Sequence, residues 1–247
     1  MDTKVTYIFH SCFAVEDDYV VVVFDYWRDH PDGRLGRLLK GTNKPIYFVA
    51  SHFHADHYSS RMFEYADREA GARFLLSYDV VRRKHVQQNR ITDTLRPGHM
   101  YSDEYLTLHA FRSTDIGVSV ALTLPGGATI FHAGDLNNWY FSDPNDKHLQ
   151  TTLHQMEGMY MSVLDEIKLV YPRFDHVMFP VDPRLEDELL RGAFQWLRHI
   201  ETANFYPMHF WRQYDVMAEN VQQLTDLFPA TCFHLPPDSE GPELPQV

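Results

Sequence analysis

The sequence predicts an α+β fold in which two packed β-sheets are flanked by helices. The first half is dominated by short apolar runs rich in β-branched residues, with helix-patterned segments between them, and the second half alternates strand-like and helical segments. The 247 residues, 44% of them hydrophobic, supply enough apolar side chains for a large core. We therefore expect a single domain over residues 1–247, with a flexible Pro/Gly/Glu-rich tail from about residue 237.

The first half reads as strands joined by polar turns. Four consecutive valines followed by phenylalanine give the clearest buried strand, because β-branched and aromatic side chains favour a pleated surface. Strands are predicted over 5–9, 12–15, 19–24, 45–50 and 73–77, and helices near 35–39, 58–70 and 78–88. A β-meander is predicted next, with strands over 99–102, 105–112, 117–124 and 128–132.

The second half alternates helices and strands. An apolar stripe at helical spacing predicts the longest helix over 147–171, and Pro172 ends it. Further helices are predicted over about 185–200 and 214–227, and strands over 176–180, 205–210 and 231–235.

Composition and charge argue against several classes of protein. With a formal net charge of −12, the chain is not expected to bind nucleic acid over its whole surface. No run approaches the roughly 20 apolar residues that span a bilayer, and the chain starts without a basic-then-apolar signal segment. Cys12 and Cys232 form no CxxC motif, which favours reduced thiols and a cytoplasmic location.

The stretch Ser51–His57 is the densest group of candidate metal ligands. His52, His54, Asp56 and His57 follow an apolar run, at the point where a predicted strand breaks into a loop. Neutral imidazoles and carboxylates are the ligands that zinc and similar divalent cations prefer. A strand directs successive side chains to opposite faces, whereas a turn can bring all four groups to one point. The pattern predicts a metal site, with a self-contained structural zinc site and an ordinary polar loop as alternatives.

Two later segments place further ligand types at the ends of predicted strands. Asp135 follows a strand and a glycine turn, and His209 ends the strand that includes Tyr206. Each signal is weak alone, because an Asp after Gly commonly caps a turn and a strand-end His commonly packs in a core. Together with the cluster at 52–57, and in this order, they form a specific pattern of distant ligands.

In its motifs the chain resembles the metallo-β-lactamase superfamily. Residues 52–57 match the HxHxDH motif of that superfamily in full, Asp135 matches its later Asp, and His209 matches its last His. The opening segments 8–13 and 23–25 are similar to the first strands of its lactonase-like hydrolase branch. The resemblance spans nearly the whole chain and implies a four-layer αββα sandwich with metals on loops at one edge.

The resemblance also implies two divalent cations, with zinc as the expected metal and manganese or iron as alternatives. It assigns His52 and His54 to the first cation and Asp56, His57 and His209 to the second. Asp135 is implied to bridge the two cations. Such a pair binds a hydroxide between the ions and cleaves an ester, lactone, amide or phosphodiester. The implied function is a metal-dependent hydrolase acting on a small molecule, with Asp56 and His10 as candidate catalytic residues. The oligomeric state is left open.

The chain departs from the family pattern at one position. The superfamily supplies a third His to the first metal, upstream of the bridging Asp, and residues 111–118 contain none. Asp115 is a candidate replacement, which would give a harder site. Alternatively Asp115 caps a turn, and the first site is weak or takes His109 or His132. A non-catalytic or single-metal sensor protein of the same fold is therefore the alternative function.

Three further features have two interpretations each. His10 either faces the metals, where it orients substrate or shuttles a proton, or packs in the core. Asp182 either accepts a hydrogen bond from a ligand His or forms an Asp-Pro turn. The aromatic residues 139–141 either line a substrate pocket or pack.

Overall fold

Two β-sheets lie face to face in the computed structural model, which describes residues 3–65, 71–141 and 147–236. The six-stranded sheet follows the chain order, with β1 Lys4–Phe9, β2 Cys12–Glu16, β3 Val21–Phe24, β4 Ile46–Ala50, β5 Ala72–Ser77 and β6 Asp93–Leu95. The seven-stranded sheet runs from β7 to β13, with β7 Met100–Ser102, β8 Thr107–Arg112, β9 Val118–Thr123, β10 Thr129–His132, β11 Arg173–Pro180, β12 Glu201–Met208 and β13 Cys232–Phe233.

Helices cover the outer faces of both sheets. The α-helices are α1 Arg34–Lys40, α2 Tyr78–Arg83, α3 Lys147–Val170, α4 Arg191–His199 and α5 Tyr214–Leu227, and 3-10 helices span Ser60–Tyr65, Gln88–Arg90 and Pro183–Glu188. The first two α-helices pack with the six-stranded sheet and the last three with the seven-stranded sheet. The predicted αββα sandwich is confirmed. Among the described residues, no helix is both long and apolar enough to cross a membrane.

Strand β4 shows why the central strands read as continuous apolar runs. Tyr47 and Val49 point into the core between the two sheets, whereas Ile46, Phe48 and Ala50 point towards the helices on the outer face. Successive side chains of a strand face opposite ways, so a strand covered on both sides must be apolar at every position.

Several predicted boundaries were wrong. The helix predicted over 58–70 is a 3-10 helix over Ser60–Tyr65, and residues 66–70 and the tail from 237 lie outside the described residues. The helix predicted over 78–88 ends at Arg83. The helix predicted over 185–200 begins only at Arg191, because Glu186 has φ 50° and interrupts helical geometry.

The strand predictions erred where pairing partners decide the outcome. Strand β12 begins at Glu201 rather than 205, since its more polar first half pairs with β11. It ends at Met208 rather than 210, because His209 has φ 63° and turns the chain. The three-residue strand β6 was not predicted; it is too short for a periodic signal and forms by pairing with β5.

Candidate metal centre

The candidate ligands lie together at one edge of the sandwich. The loop 52–57 follows β4, Asp135 follows β10 and His209 follows β12. Neighbouring strands are parallel from β3 to β6 in one sheet and from β10 to β13 in the other. Their carboxyl ends therefore meet at a shared edge, which is where sheets of this type bind ligands.

Four side chains converge on one point, and we call them the second metal group: His10, Asp56, His57 and His209. Their ligand atoms all lie within 4.8 Å of one another. The Oδ2 atom of Asp56 lies 3.3 Å from Nε2 of His10, 3.6 Å from Nε2 of His209 and 3.9 Å from Nε2 of His57. All three histidines are buried. The structure thus places His10 among the candidate ligands rather than apart from them.

A neighbouring set, the first metal group, contains His52, His54, Asp115 and Asp135. Its ligand atoms also lie within 4.8 Å of one another. Nδ1 of His54 lies 3.0 Å from Nε2 of His52 and 3.6 Å from Oδ2 of Asp115. The side chains of His54 and Asp115 are 42% and 41% exposed, so this group is open to solvent. Asp115 therefore lies where the missing third histidine is expected.

Asp135 connects the two groups through its two carboxylate oxygens. Oδ2 lies 3.4 Å from Nε2 of His52 in the first group. Oδ1 lies 3.1 Å from Nε2 of His57 and 3.5 Å from Nε2 of His209 in the second. One oxygen facing each group is the arrangement that a bridging carboxylate requires.

Unpaired polar atoms test whether these residues fit metal ions. Nε2 of His57, Oδ1 of Asp135 and both ring nitrogens of His10 are buried and make no hydrogen bond among the described residues. Buried polar atoms are almost always paired, because an unpaired one carries a desolvation cost. A cation among these residues would satisfy Nε2 of His57, Oδ1 of Asp135 and one ring nitrogen of His10, since each residue offers one ligand atom within 4.8 Å of the others in its group. The donor set of imidazoles and carboxylates fits divalent cations.

The electrostatics of the second group point the same way. Burial lowers the pKa of His209, but the charge of Asp135 and the bonds to Asp182 and Asp56 outweigh it and raise the pKa to about 9. The pKa of His57 is raised well above its usual value, since Asp135 and Asp25 outweigh burial. These carboxylates create a negative field that favours a proton or a metal cation at the imidazoles, and a bound metal displaces the protons.

His10 differs from its neighbours. Burial and the nearby His209 lower the pKa of His10 to about 3, which keeps its imidazole neutral at neutral pH. A neutral imidazole with unpaired nitrogens is the form that ligates a metal.

Outer hydrogen bonds fix the orientation of three ligand histidines. Nδ1 of His57 donates to Oδ2 of Asp25 at 2.7 Å, and Nδ1 of His209 donates to Oδ2 of Asp182 at 2.8 Å. The hydroxyl of Ser51 donates to Asp25 at 2.7 Å and accepts from Nδ1 of His52 at 3.0 Å. With Nδ1 protonated in each ring, the lone pair of Nε2 faces the metal centre.

Asp25 is the main residue of the site whose role the sequence analysis did not predict. Its carboxylate also accepts from the backbone N–H of Ser51 at 2.7 Å, which anchors the ligand loop. Burial raises the pKa of this carboxyl, but the neighbouring imidazoles of His132 and His57 outweigh burial and lower it. A usable signal was present: an acidic residue directly after a buried strand that precedes the ligand strand in the chain.

Asp182 combines both roles that were considered for it. It accepts from Nδ1 of His209, and it also caps the 3-10 helix by accepting from the backbone N–H of Arg184 at 2.9 Å.

His109 and His132, the two histidines considered as ligands of the first metal in place of Asp115, lie outside both metal groups. Nδ1 of His109 contacts the hydroxyl of Tyr171, and Nε2 of His132 donates to the carbonyl of Ser11.

Sharp turns after the strands place the ligands and strain the backbone. His10, Asp25 and His209 have φ values of 58°, 46° and 63°. Such conformations cost non-glycine residues roughly 1–3 kcal/mol each and cluster at functional sites.

Gly117 has φ 78°, and a Cβ there would lie 2.1 Å from the carbonyl oxygen of Ser51. Glycine thus lets the segment carrying Asp115 pack directly on the ligand loop.

A cavity of about 440 Å³ gives access to the centre. Members of both metal groups line it: His54, Asp56, Asp115, Asp135 and His209. Trp139 and Phe141 also line it, whereas Tyr140 is buried and does not. The predicted aromatic wall is therefore formed by two of the three residues.

Comparisons with known proteins agree with this geometry. No family model matches the chain. A UPF0173 metal-dependent hydrolase of Brucella canis is 25% identical over 221 residues, covering 76% of this chain and 90% of that protein. The metallo hydrolase Igni18 of Ignicoccus hospitalis has a TM-score of 0.65 at 16% identity, with 96% of each chain covered.

A protein whose description names the fold is also similar. YhfI of Bacillus subtilis, a metallo-β-lactamase fold protein, has a TM-score of 0.56 at 11% identity, covering 96% of this chain and 98% of that one. The strand topology and these likenesses show that the chain has a metallo-β-lactamase fold, and its complete HxHxDH motif resembles that of the superfamily.

Proposed function

We propose that this metal-dependent hydrolase works with two divalent cations, one in each metal group, and cleaves an ester, lactone, amide or phosphodiester of a small molecule. The observation that carries the proposal is Asp135, whose two oxygens face the two groups separately. The cavity volume of about 440 Å³ is in the range of small-molecule sites. The curated relative is named a metal-dependent hydrolase, which supports the same reaction class.

The distances support a ligand assignment. The first cation would be held by His52, His54, Asp115 and Asp135, and the second by His10, Asp56, His57, His209 and Asp135. Zinc is the expected metal for a histidine-rich set, with manganese or iron as alternatives because several carboxylates contribute. When bound, such a pair lowers the pKa of a water between the ions and offsets charge that develops on a substrate oxygen.

Asp56 is suited to orient a water rather than to remove its proton. It lines the cavity and reaches the second group, and neighbouring imidazoles outweigh burial and hold the pKa of its carboxyl far below the usual range. It therefore stays ionised and can accept a hydrogen bond from a water at the second group, but it is too weak a base to take the proton. As the bond to the acyl or phosphoryl centre breaks, the leaving oxygen, or the nitrogen of an amide, would take up a proton from solvent.

A double substitution tests the assignment. In Asp56→Ala/His57→Ala, we expect metal-dependent hydrolysis to vanish for lactone, thioester and phosphodiester test substrates, while circular dichroism shows that the fold survives. The matched control is Asp93→Ala/His99→Ala, which removes an ion pair of 2.8 Å outside both metal groups. Unchanged turnover in the first variant contradicts the mechanism.

The second candidate function is a single-metal or non-catalytic protein. It is favoured by the exposure of His54 and Asp115, which leaves the first group open to water. Metal counting by mass spectrometry separates the candidates. Two ions per chain with turnover support the hydrolase with two cations, and one ion without turnover on any of the three substrate types supports the alternative.

A further inference from the structure

One basic side chain lines the same cavity as the metal groups. Arg184 is the only Lys or Arg among the described residues that line it. Its side chain is 55% exposed. Its bonds to Asp182 raise its pKa, and the guanidinium lines the same cavity as the carboxylates of Asp56 and Asp135. The cavity thus holds a permanent positive charge besides any metal ions.

The pairing of Arg184 with Asp182 leaves part of the guanidinium available. Nε lies 3.0 and 2.9 Å from the two oxygens of Asp182, and Nη2 also donates to Oδ2. Nη1 makes no hydrogen bond to any described residue. A side-on pair of this kind fixes the position of the guanidinium and leaves an amino group for another acceptor.

Part of the cavity lining is apolar. Trp139, Phe141 and Met156 line the cavity, and Phe141 is 49% exposed. The indole N–H of Trp139 donates to the backbone carbonyl of Asp135 at 3.0 Å, so the ring is held beside Asp135. Apolar side chains and a guanidinium in one cavity suit a ligand with an apolar part and an anionic group.

We propose that Arg184 is a specificity-determining residue that binds a carboxylate or phosphate group of the substrate, beside the bond that is cleaved. The substrate is then a small ester or lactone with an anionic substituent and an apolar portion. This inference rests on the proposed hydrolytic function and assigns its substrate class.

Matched esters test the proposal on the metal-loaded protein. 4-Nitrophenyl acetate is neutral, the mono-4-nitrophenyl ester of succinate adds a carboxylate, and the 4-nitrophenyl carboxyl ester of phosphonoacetate adds a phosphonate. We expect kcat/KM to be at least about tenfold higher for one or both anionic esters, since hydrogen bonds to charged groups are strong. The two anionic esters distinguish carboxylate from phosphate recognition.

Variants assign the preference to Arg184. Arg184→Met removes the charge, and Arg184→Gln also removes it but keeps a donor for Asp182. Both are expected to lose the preference mainly through KM, with metal content unchanged. Arg191→Met is the matched control: Arg191 also pairs with carboxylates, at 2.9 Å from Glu188 and 3.1 Å from Glu157, but does not line the cavity. It should retain the preference.

A binding measurement keeps this test separate from catalysis. Calorimetric titration of the metal-loaded protein with phenylphosphonate and phenylacetate should show affinity at least about tenfold weaker in both Arg184 variants than in Arg191→Met. Equal kcat/KM for neutral and anionic esters, or a preference and affinity unchanged in both variants, overturns the role of Arg184. Absence of metal-dependent hydrolysis with these esters and with lactone, amide, thioester and phosphodiester test substrates, while the Arg184-dependent binding persists, instead overturns the proposed function.

Discussion

The two metal groups use similar residues but differ in their surroundings. The histidines of the second group are buried, and carboxylates orient two of them directly: Asp25 holds His57 and Asp182 holds His209. In the first group, only His52 is buried with an outer partner, the Ser51 hydroxyl, while His54 and Asp115 are more than 40% exposed. Burial and outer partners lower the freedom of a ligand before metal arrives, so we expect the second group to bind its cation more tightly.

The largest effect is expected when Asp135, the residue that both metal groups share, is removed. Asp135→Ala takes one ligand oxygen from each group and leaves the raised pKa of His57 and His209 without its main cause. We expect metal content to fall in both groups and turnover to become undetectable. Mass spectrometry of the dialysed protein gives the metal count. A variant that keeps two ions shows that Asp135 does not bridge.

An intermediate effect is expected when either of the two outer carboxylates, Asp25 or Asp182, is replaced. Asp25→Asn disturbs His57 directly and His52 through Ser51, whereas Asp182→Asn disturbs only His209 among the candidate ligands. Loss of such partners lowers metal affinity about 10–100-fold. Competition with a chromophoric chelator should therefore show both binding steps weakened in Asp25→Asn and one step weakened in Asp182→Asn.

Equal changes in metal affinity in Asp25→Asn and Asp182→Asn would contradict the expected difference between the two outer carboxylates. An effect confined to one step in Asp25→Asn means that the Ser51 hydroxyl does not transmit orientation to His52. Thermal melts of the apo forms separate loss of metal affinity from loss of fold.

The smallest expected effect concerns Asp115. Its side chain is exposed and its carboxylate lies 3.6 Å from Nδ1 of His54, so Asp115→Ala should weaken only the lower-affinity step and leave the tighter one unchanged. Asp115→His restores the histidine typical of the superfamily and is expected to strengthen that step for zinc. Chelator titration of the two variants checks both outcomes, and an unchanged lower-affinity step in both excludes Asp115 as a ligand.

Much of the fold could be predicted from the sequence because the patterns that indicate its strands and helices are local. Continuous apolar runs such as β4 identified strands covered on both faces, and helix α5 was predicted with its observed bounds. The failures came where pairing decides, as in β6 and the first half of β12, since a short or polar segment becomes a strand only beside its neighbour.

For the site, the sequence alone predicted the types and order of the candidate ligands, because HxHxDH, Asp135 and His209 each lie at or after a recognisable strand end. The placement of Asp115 beside His54, the entry of His10 into the second group and the support from Asp25 were decided only by the tertiary structure. These contacts join strand ends from two sheets that are distant in the chain. No local pattern encodes such distances, which are fixed by how the sheets pack and where the backbone turns.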